Sequence, residues 1–226
     1  MISWSCITYG RENGVPEIIR YFLAQNYKDE KEFVILNDDP DVHYVFDHPE
    51  VKIYNWDHRF KNVRTKFNKS MELCSGDLVV PVGDDDWYTP TATKKMVKGI
   101  GNNKFLAVNG FWKVNKNGSI CWIQQAIAGL FICRKDFFFE IGGYTEWSDK
   151  PVRSQVTRQM TDVAHIDLFD RVKEAGHYKE LKLDQQSAFF TWDKRGSQDN
   201  WGDTDKEKHI IKERIPRIVT ILRGKE

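Results

Sequence analysis

An apolar run that ends abruptly in acidic residues restricts the fold of this chain more than any other feature. Residues 78–82 (LVVPV) are apolar, and Gly83 and three consecutive carboxylates, Asp84, Asp85 and Asp86, follow directly. Such a run is typical of a strand buried in a sheet. Carboxylates at a strand end repel one another unless a cation or hydrogen-bond donors hold them together. The segment therefore predicts either a metal site or an acidic turn that caps a helix over residues 89–99.

The first hundred residues alternate between strand patterns and helix patterns. The hydrophobic periodicity predicts strands over residues 2–8, 32–37, 51–54 and 78–82, and helices over residues 15–25, 61–74 and 89–99. Residues 33–36 (FVIL) are uninterrupted, which is typical of a strand covered on both faces in a parallel sheet. We therefore expect an α/β fold with its ligand site at the carboxyl ends of the strands, where Asp38, Asp39 and the acidic triplet fall.

The second half of the chain has a less regular pattern. Residues 105–114 and 120–123 predict a hairpin, and a further strand is predicted over residues 128–133 and another within 178–191. Helices are predicted over residues 135–141, 162–175 and 205–222, the last one charged and bent at Pro216. Residues 144–161 show no clear periodicity, as in functional lids or disordered segments.

Composition narrows the class of protein. The 34 basic and 33 acidic residues nearly cancel, so no overall field marks a dedicated nucleic-acid binder. The four cysteines are widely spaced and form no Cys-x-x-Cys pair, which predicts reduced thiols in a cytoplasmic protein. The sequence nowhere contains a run of about 18 apolar residues, so we expect no transmembrane segment.

Several short motifs, in this order along the chain, resemble the family 2 glycosyltransferases of the GT-A fold. They are residues 7–11 (ITYGR), 36–38 (LND), 83–90 (GDDDWYTP) and 142–144 (GGY), followed by Leu168-x-x-Arg171. The resemblance implies a Rossmann-like, three-layer α/β sandwich around a mostly parallel mixed sheet. It also implies a single domain over residues 1–226, with a nucleotide-sugar-binding half (1–100) and an acceptor-binding half (101–226).

The implied reaction transfers a sugar, with inversion, from a nucleoside diphosphate donor to a hydroxyl group. A UDP-sugar is the expected donor, and Mn²⁺ or Mg²⁺ is the expected cofactor because a divalent cation neutralises the departing diphosphate. The resemblance implies that Asp85 binds the metal and that Asp86 either assists it or caps the next helix. Asp84 takes the middle acidic position, while Gly83 replaces the first. Ribose recognition is then left to Asp84 or to main-chain groups.

The same resemblance implies further donor-binding residues. Thr8 and Arg11 lie where the first loop meets the base and the phosphates, and Asp38 lies where an acidic residue accepts a hydrogen bond from the base. An ordinary Asp-Asp-Pro turn is the alternative for Asp38. Arg64 either pairs with a phosphate or is a solvated surface residue.

The general base is less well defined, because Ala164 and His165 replace the acidic pair that the family carries before Leu168. Three nearby side chains are candidates for this role: Asp162, His165 and Asp167. A helical wheel places Asp162 and His165 near the apolar side and Asp167 on the polar side. A histidine on an apolar face is also typical of a buried structural residue.

Aromatic residues and alternative functions complete the expectations. Trp147 and Trp201 lie in polar segments and are candidates for stacking against an acceptor sugar, whereas Trp112 and Trp122 are expected in the core. The acceptor remains open among a glycan, a lipid-linked sugar, a protein and a modified nucleic-acid base. One alternative is a binding module without turnover. A sugar nucleotidyltransferase is another, although residues 9–14 contain only two glycines for its phosphate loop.

Overall fold

Alternating strands and helices run through the residues that the computed structural model describes, which are 1–115, 117–145, 163–193 and 217–220. The strands are β1 (Ile2–Thr8), β2 (Lys31–Asn37), β3 (Val42–Val45), β4 (Val51–Asn55), β5 (Leu78–Val82), β6 (Trp87–Tyr88), β7 (Phe105–Val114), β8 (Ile120–Arg134), β9 (Glu180–Lys182), β10 (Phe190–Asp193) and β11 (Arg217–Thr220). The helices are α1 (Gly14–Leu23), α2 (Val63–Leu73), α3 (Ala92–Ile100), α4 (Lys135–Glu140) and α5 (Val163–Glu174).

A mixed sheet has the strand order β4-β2-β1-β5-β8-β7-β10-β6, and β9 pairs with β7 beside this path. Strands β4, β2, β1 and β5 are parallel, while β8 is antiparallel to both β5 and β7. Strands β3 and β11 form a separate parallel pair. Because β1, β2 and β5 run in the same direction, their carboxyl ends meet at one edge, as predicted.

Helices cover both faces of the sheet, which gives three layers. On one face, α1 and α3 contribute Ile18, Phe22 and Met96 to a buried cluster that contains Trp4 of β1. On the other face, α2, α4 and α5 form a second buried cluster, whose members include Met71, Phe137, Leu168, Val34 and Phe131. The uninterrupted run in β2 is buried throughout because each face lies under a helical layer. Among the described residues, no helix has the length and apolar character to cross a membrane.

Local pairing changes several predicted boundaries. The helix expected over residues 89–99 begins only at Ala92, because Trp87–Tyr88 pair with β10 as a short strand. The two strands predicted over residues 120–123 and 128–133 are one strand, β8, with a register shift against β7. Strand β3 was not predicted.

The C-terminal helix predicted over residues 205–222 is wrong where it can be compared. Arg217–Thr220 form β11, which pairs with β3 in parallel register. Three of these four residues are the β-branched Ile218, Val219 and Thr220, which favour a strand. The rest of that prediction lies outside the described residues.

A buried carboxylate ties the amino-terminal ends of the strands together. Glu32, at the start of β2, is 3% exposed and accepts hydrogen bonds from the hydroxyl of Ser3 (2.6 Å) and from the Lys52 ammonium (2.6 Å). The main-chain N–H of Ser75 also donates to it. Burial raises the pKa of Glu32, but these donors outweigh burial and hold it below its ordinary value of 4.5.

We expect Glu32→Gln to lower the free energy of unfolding by about 2 kcal/mol at pH 7, because charged hydrogen bonds in a buried site are lost. The wild-type carboxylate contributes stability above pH 4.5 and loses it as the pH falls through its lowered pKa. The free energy of unfolding, measured by urea titration, should therefore differ less between pH 7 and pH 3.5 in the variant than in the wild type. Glu17→Gln, which changes a surface carboxylate that is 53% exposed, is the matched control. Equal losses in both variants would contradict this role.

Candidate functional site

Three parallel strands bring polar residues together at one edge of the sheet. Thr8 ends β1, Asp38 follows β2, and Asp84 lies two residues after β5. Thr8 is directly opposite Asn37, and Cys6 is opposite Val82, so these strand ends are aligned. The predicted site residues Thr8, Arg11, Asp84 and Asp85 are in contact at this edge.

Asp84 is the buried member of the acidic triplet, with 8% of the residue exposed. Its Oδ2 accepts a hydrogen bond of 2.7 Å from the Thr8 hydroxyl. Burial raises the pKa of Asp84 to about 6, although the Arg11 guanidinium and the Thr8 hydroxyl oppose this rise. The protein thus holds a carboxylate in a place where a negative charge is unfavourable without a cation.

Arg11 supplies a positive charge between two of the carboxylates. Its Nη1 donates to Asp85 Oδ2 at 2.9 Å, and its Nε lies 3.5 Å from Asp84 Oδ1. The Arg11 side chain is 20% exposed, so solvent screens this charge only in part. Two carboxylates therefore converge on one cationic group at the mouth of the site.

Gly83 gives the carboxylates the room for this arrangement. A Cβ atom at Gly83 would overlap Asp86 Oδ2 and lie 3.1 Å from Asp85 Oδ1. The carboxylates of Asp85 and Asp86 thus fold back over a backbone without a side chain. Asp86 does not cap α3, because that helix begins at Ala92, and its N-cap residue Thr91 makes no side-chain cap.

The acidic residues fit a divalent cation with an incomplete protein ligand set. Within the described ranges, no group of three or more His, Cys, Asp or Glu side chains could hold a metal ion. The carboxylates of Asp84 and Asp85 nevertheless converge on one cationic group, the Arg11 guanidinium, and those of Asp85 and Asp86 lie side by side over Gly83. Mg²⁺ and related hard cations are commonly bound by one or two carboxylates plus substrate phosphates and water.

A buried ion pair fixes Asp38 beside this cluster. The Nζ of Lys66 donates to Asp38 Oδ1 and to the main-chain oxygen of Thr8, the latter at 2.6 Å. The main-chain N–H of Phe60 donates to Asp38 Oδ2 at 3.0 Å. Asp38 is 1% exposed and Lys66 is fully buried. Asp38 therefore links α2, the loop after β4 and the first loop, rather than lying open to solvent.

Lys66 was not identified from the sequence, although its position carried a signal. Lys66 and Ser70 are one helical turn apart on the buried side of α2, where apolar residues are expected. The Ser70 hydroxyl lies 2.7 Å from that of Ser5 on β1. Polar residues at helical spacing, opposite polar residues on the neighbouring strand, would have indicated a buried hydrogen-bonded network.

Aromatic residues surround the same edge of the sheet. The Arg59 guanidinium lies over the Tyr9 ring, 4.3 Å from its centroid. In the loop after β4, the rings of Trp56 and Phe60 are 5.4 Å apart. These side chains border the first loop next to Asp38. Arg59, Trp56 and Phe60 were not identified from the sequence.

Arg64 and Asp167 lie in a second polar cluster, around the loop after α4. Arg64 Nη1 donates to the main-chain oxygen of Thr145 at 3.0 Å, and Asp167 accepts from the Thr145 hydroxyl at 2.6 Å. Arg171 also donates to Asp167, at 3.0 and 3.1 Å, and to the main-chain oxygen of Gly143 at 2.6 Å. Although burial raises it, the pKa of Asp167 is held below its ordinary value by Thr145 and Arg171.

The structure says less about the other two candidates for the general base, His165 and Asp162. His165 lies in the first turn of α5. Asp162, which directly precedes this helix, lies outside the described residues, as do Trp147 and Trp201.

Comparison with protein families gives a match to the model described as glycosyl transferase family 2, over residues 3–167. Comparison with curated proteins gives no match.

Solved structures with the same fold include TarS 1–349 from S. aureus in complex with UDP-GlcNAc. That alignment has a TM-score of 0.62 and 15% identity, and it covers 87% of this chain and 59% of the TarS chain. The mannosyltransferase PcManGT from Pyrobaculum calidifontis, in complex with GDP-Man and Mn²⁺, aligns with a TM-score of 0.57 and 14% identity, over 88% of this chain and 58% of the other. The chain thus spans about three fifths of their length. The predicted GT-A fold is confirmed.

The close approach of α1 to the acidic loop gives a test of this geometry. A Cβ at Gly14 would lie 2.5 Å from the main-chain oxygen of Asp84, whereas one at Gly83 meets mainly carboxylate ends that can rotate away. We expect Gly14→Ala to lower the free energy of unfolding by about 1–3 kcal/mol, although alanine favours a helix by about 1 kcal/mol. The loss for Gly83→Ala should stay below about 1 kcal/mol. Urea titration measures both, and a Gly14→Ala variant as stable as the wild type would contradict the contact.

Proposed function

Because the chain belongs to glycosyl transferase family 2, we propose that it transfers a sugar from a nucleoside diphosphate sugar, preferably a UDP-sugar, to a hydroxyl acceptor. The observation that carries this proposal is the Arg11 guanidinium held between the carboxylates of Asp84 and Asp85 at the strand ends. The site thus offers a guanidinium that can contact a diphosphate directly and a carboxylate pair that can hold a cation beside it. Complexes of TarS with UDP-GlcNAc and of PcManGT with GDP-Man support a nucleotide-sugar donor.

We assign Asp85, with assistance from Asp86, to binding of Mn²⁺ or Mg²⁺. When bound, the cation supplies Lewis-acid stabilisation of the negative charge on the leaving diphosphate. Thr8 holds the Asp84 carboxylate by the hydrogen bond at its Oδ2, which leaves Oδ1 directed toward Arg11. The planar guanidinium of Arg11 is suited to bidentate contact with phosphate oxygens. The buried Lys66–Asp38 pair fixes the first loop through the Thr8 carbonyl, and so positions Arg11.

We further propose that transfer proceeds with inversion and that Asp162 or His165 is the general base. A base must accept a proton from the acceptor hydroxyl, and its pKa should lie near the working pH. Asp167 is less suited to this role because Thr145 and Arg171 stabilise its ionised form. Asp167 and Arg64 instead hold the loop that contains Gly143 and Thr145, and we propose that they act through this loop rather than by contact with the donor.

The two halves of the chain have different proposed functions. We propose that residues 1–100 bind the donor and that residues 101–226 bind the acceptor, within one domain. The chain's free thiols, three of them buried, support a place in the cytoplasm. A binding module without turnover is the alternative that Ala164 and His165 favour, because they replace the expected acidic pair.

We expect Asp85→Asn to abolish Mn²⁺-dependent hydrolysis of the donor while leaving the unfolding transition unchanged. UDP with Mn²⁺ should raise the melting temperature of the wild type, and this rise should disappear in the variant. Asp77→Asn is the matched control, because Asp77 precedes β5 at the opposite end of the strand and its side chain is 82% exposed. Undiminished metal-dependent turnover in Asp85→Asn would contradict the metal assignment. Binding of UDP and Mn²⁺ without any donor turnover would favour the binding module.

Variants of the three candidates separate the base from the positioning residues. We expect Asp162→Asn or His165→Gln to lower kcat by about 10²- to 10⁴-fold with the melting temperature unchanged. In the wild type, kcat should fall toward low pH as the base becomes protonated. Asp167→Asn should lower both stability and activity, because the loop loses its anchor. A kcat collapse confined to Asp167→Asn, at wild-type stability, would contradict this assignment.

A further inference from the structure

Four strands of the sheet place three tryptophans and a threonine side by side. Trp122 of β8 is paired with Trp112 of β7, Trp112 is paired with Thr191 of β10, and Thr191 is paired with Trp87 of β6. Residues paired directly across strands point to the same face of a sheet. Trp122, Trp112, Thr191 and Trp87 therefore form one line, here called the tryptophan row.

The row lies on the outer face of this part of the sheet. The residues next to it along each strand form a parallel line on the other face, and they pack into the buried core. This inner line consists of Tyr88, Phe190, Phe111 and Ile123. Side chains alternate between the faces of a strand, so a buried inner line directs its neighbours outward. Trp87 is 42% exposed, and Trp112 is half-buried and lies outside both core clusters, contrary to the prediction. Trp122 is half-buried and packs against the edge of the same core cluster as the inner line, so its predicted place in the core is met in part.

Hydrogen bonds and a ring contact fix the indoles of Trp112 and Trp122. The rings of Trp112 and Trp122 meet edge to face, with centroids 5.4 Å apart. The indole N–H of Trp122 donates to Gln124 Oε1 at 3.1 Å, and that of Trp112 donates to the main-chain oxygen of Gln185 at 3.4 Å. Rings held in this way lose little conformational entropy when a ligand binds.

We propose that the tryptophan row binds the neutral glycan portion of the acceptor, an inference that rests on the proposed transferase function. The row is continuous with the transfer site, because Trp87 directly follows Asp84, Asp85 and Asp86. It crosses three strand spacings, about 14 Å in all, which suits a short oligosaccharide rather than a single sugar ring.

The chemistry of the row favours a sugar over other occupants. Indole faces stack against the apolar C–H faces of sugar rings, and their N–H edges stay polar. Thr191 lies within the row, where its hydroxyl can exchange hydrogen bonds with sugar hydroxyls. No member of the row is charged, whereas nucleic acid and other anionic acceptors call for lysine or arginine. A glycan that binds along the row presents its terminal hydroxyl at Trp87, next to the acidic residues.

The experiment uses a glycan array of neutral oligosaccharides, followed by titration of the retained ones against the full chain with tryptophan fluorescence as the readout. We expect binding at the wild-type row and a loss of about tenfold in affinity for Trp87→Ala and for Trp112→Ala. Trp56→Ala, an indole on the loop after β4, should bind the oligosaccharides like the wild type. Trp87→Phe should recover part of the affinity, because it restores an aromatic face.

The outcomes separate this inference from the proposed function. If no neutral glycan is retained, or if the double variant Trp87→Ala/Trp112→Ala binds as well as the wild type, the inference is wrong. It is equally wrong if the row holds a second copy of the chain, which sedimentation would show as a dimer that the double variant disrupts. Loss of stabilisation by UDP and Mn²⁺ with intact glycan binding would contradict the donor proposal and not the row. Intact donor hydrolysis in a double variant that no longer binds glycan supports both.

Discussion

The repulsion among three consecutive carboxylates is the constraint on which the site depends. Asp84, Asp85 and Asp86 follow a buried strand, and burial penalises the ionised form of Asp84. Thr8 and Arg11 offset part of this penalty, yet the pKa of Asp84 stays raised to about 6. A fold that keeps such a group at a strand end retains an electrostatic demand for positive charge. That demand is the physical basis of the proposal that the site binds a cation together with a diphosphate.

Two buried or partly buried cations organise the first loop around this demand. Lys66 of α2 donates hydrogen bonds to the Thr8 carbonyl and to Asp38. Arg11, within the loop that follows Thr8, forms ion pairs with Asp84 and Asp85. Burial lowers the pKa of Lys66, and the Asp38 carboxylate opposes that change. Breaking such a pair leaves an uncompensated buried charge, which is strongly unfavourable. The loop between β1 and α1 is therefore held at its start by a hydrogen bond from Lys66 and in its middle by the ion pairs of Arg11.

The sequence predicted the parallel half of the sheet because its signals are local. The runs in β1, β2 and β5, and the helical spacing in α1, reflect burial between two layers, which each segment records in its own residues. Strands β3 and β6 were missed because two to four residues acquire a strand only from their partners, β11 and β10. Lys66 was missed for a related reason, since a lysine is assigned to the surface unless its buried partner is known. The acidic triplet was recognised because a strand and three carboxylates are adjacent in sequence.

Trp112 was expected in the core but lies on the outer face, because an irregularity at Gly110 changes the alternation of side chains along β7. Leu106 and Val108 of β7 pack into the same buried cluster as Phe111, although strict alternation would place Phe111 on the opposite face. Register shifts against β8 on both sides of Asn109 change the alternation, and Gly110 adopts a φ of +112° there. The Trp122 ring lies close over Gly110, where a Cβ would be 2.8 Å from it. This bulge turns Phe111 inward and Trp112 outward, so the glycine that interrupts the strand also creates the aromatic surface beside the acidic residues.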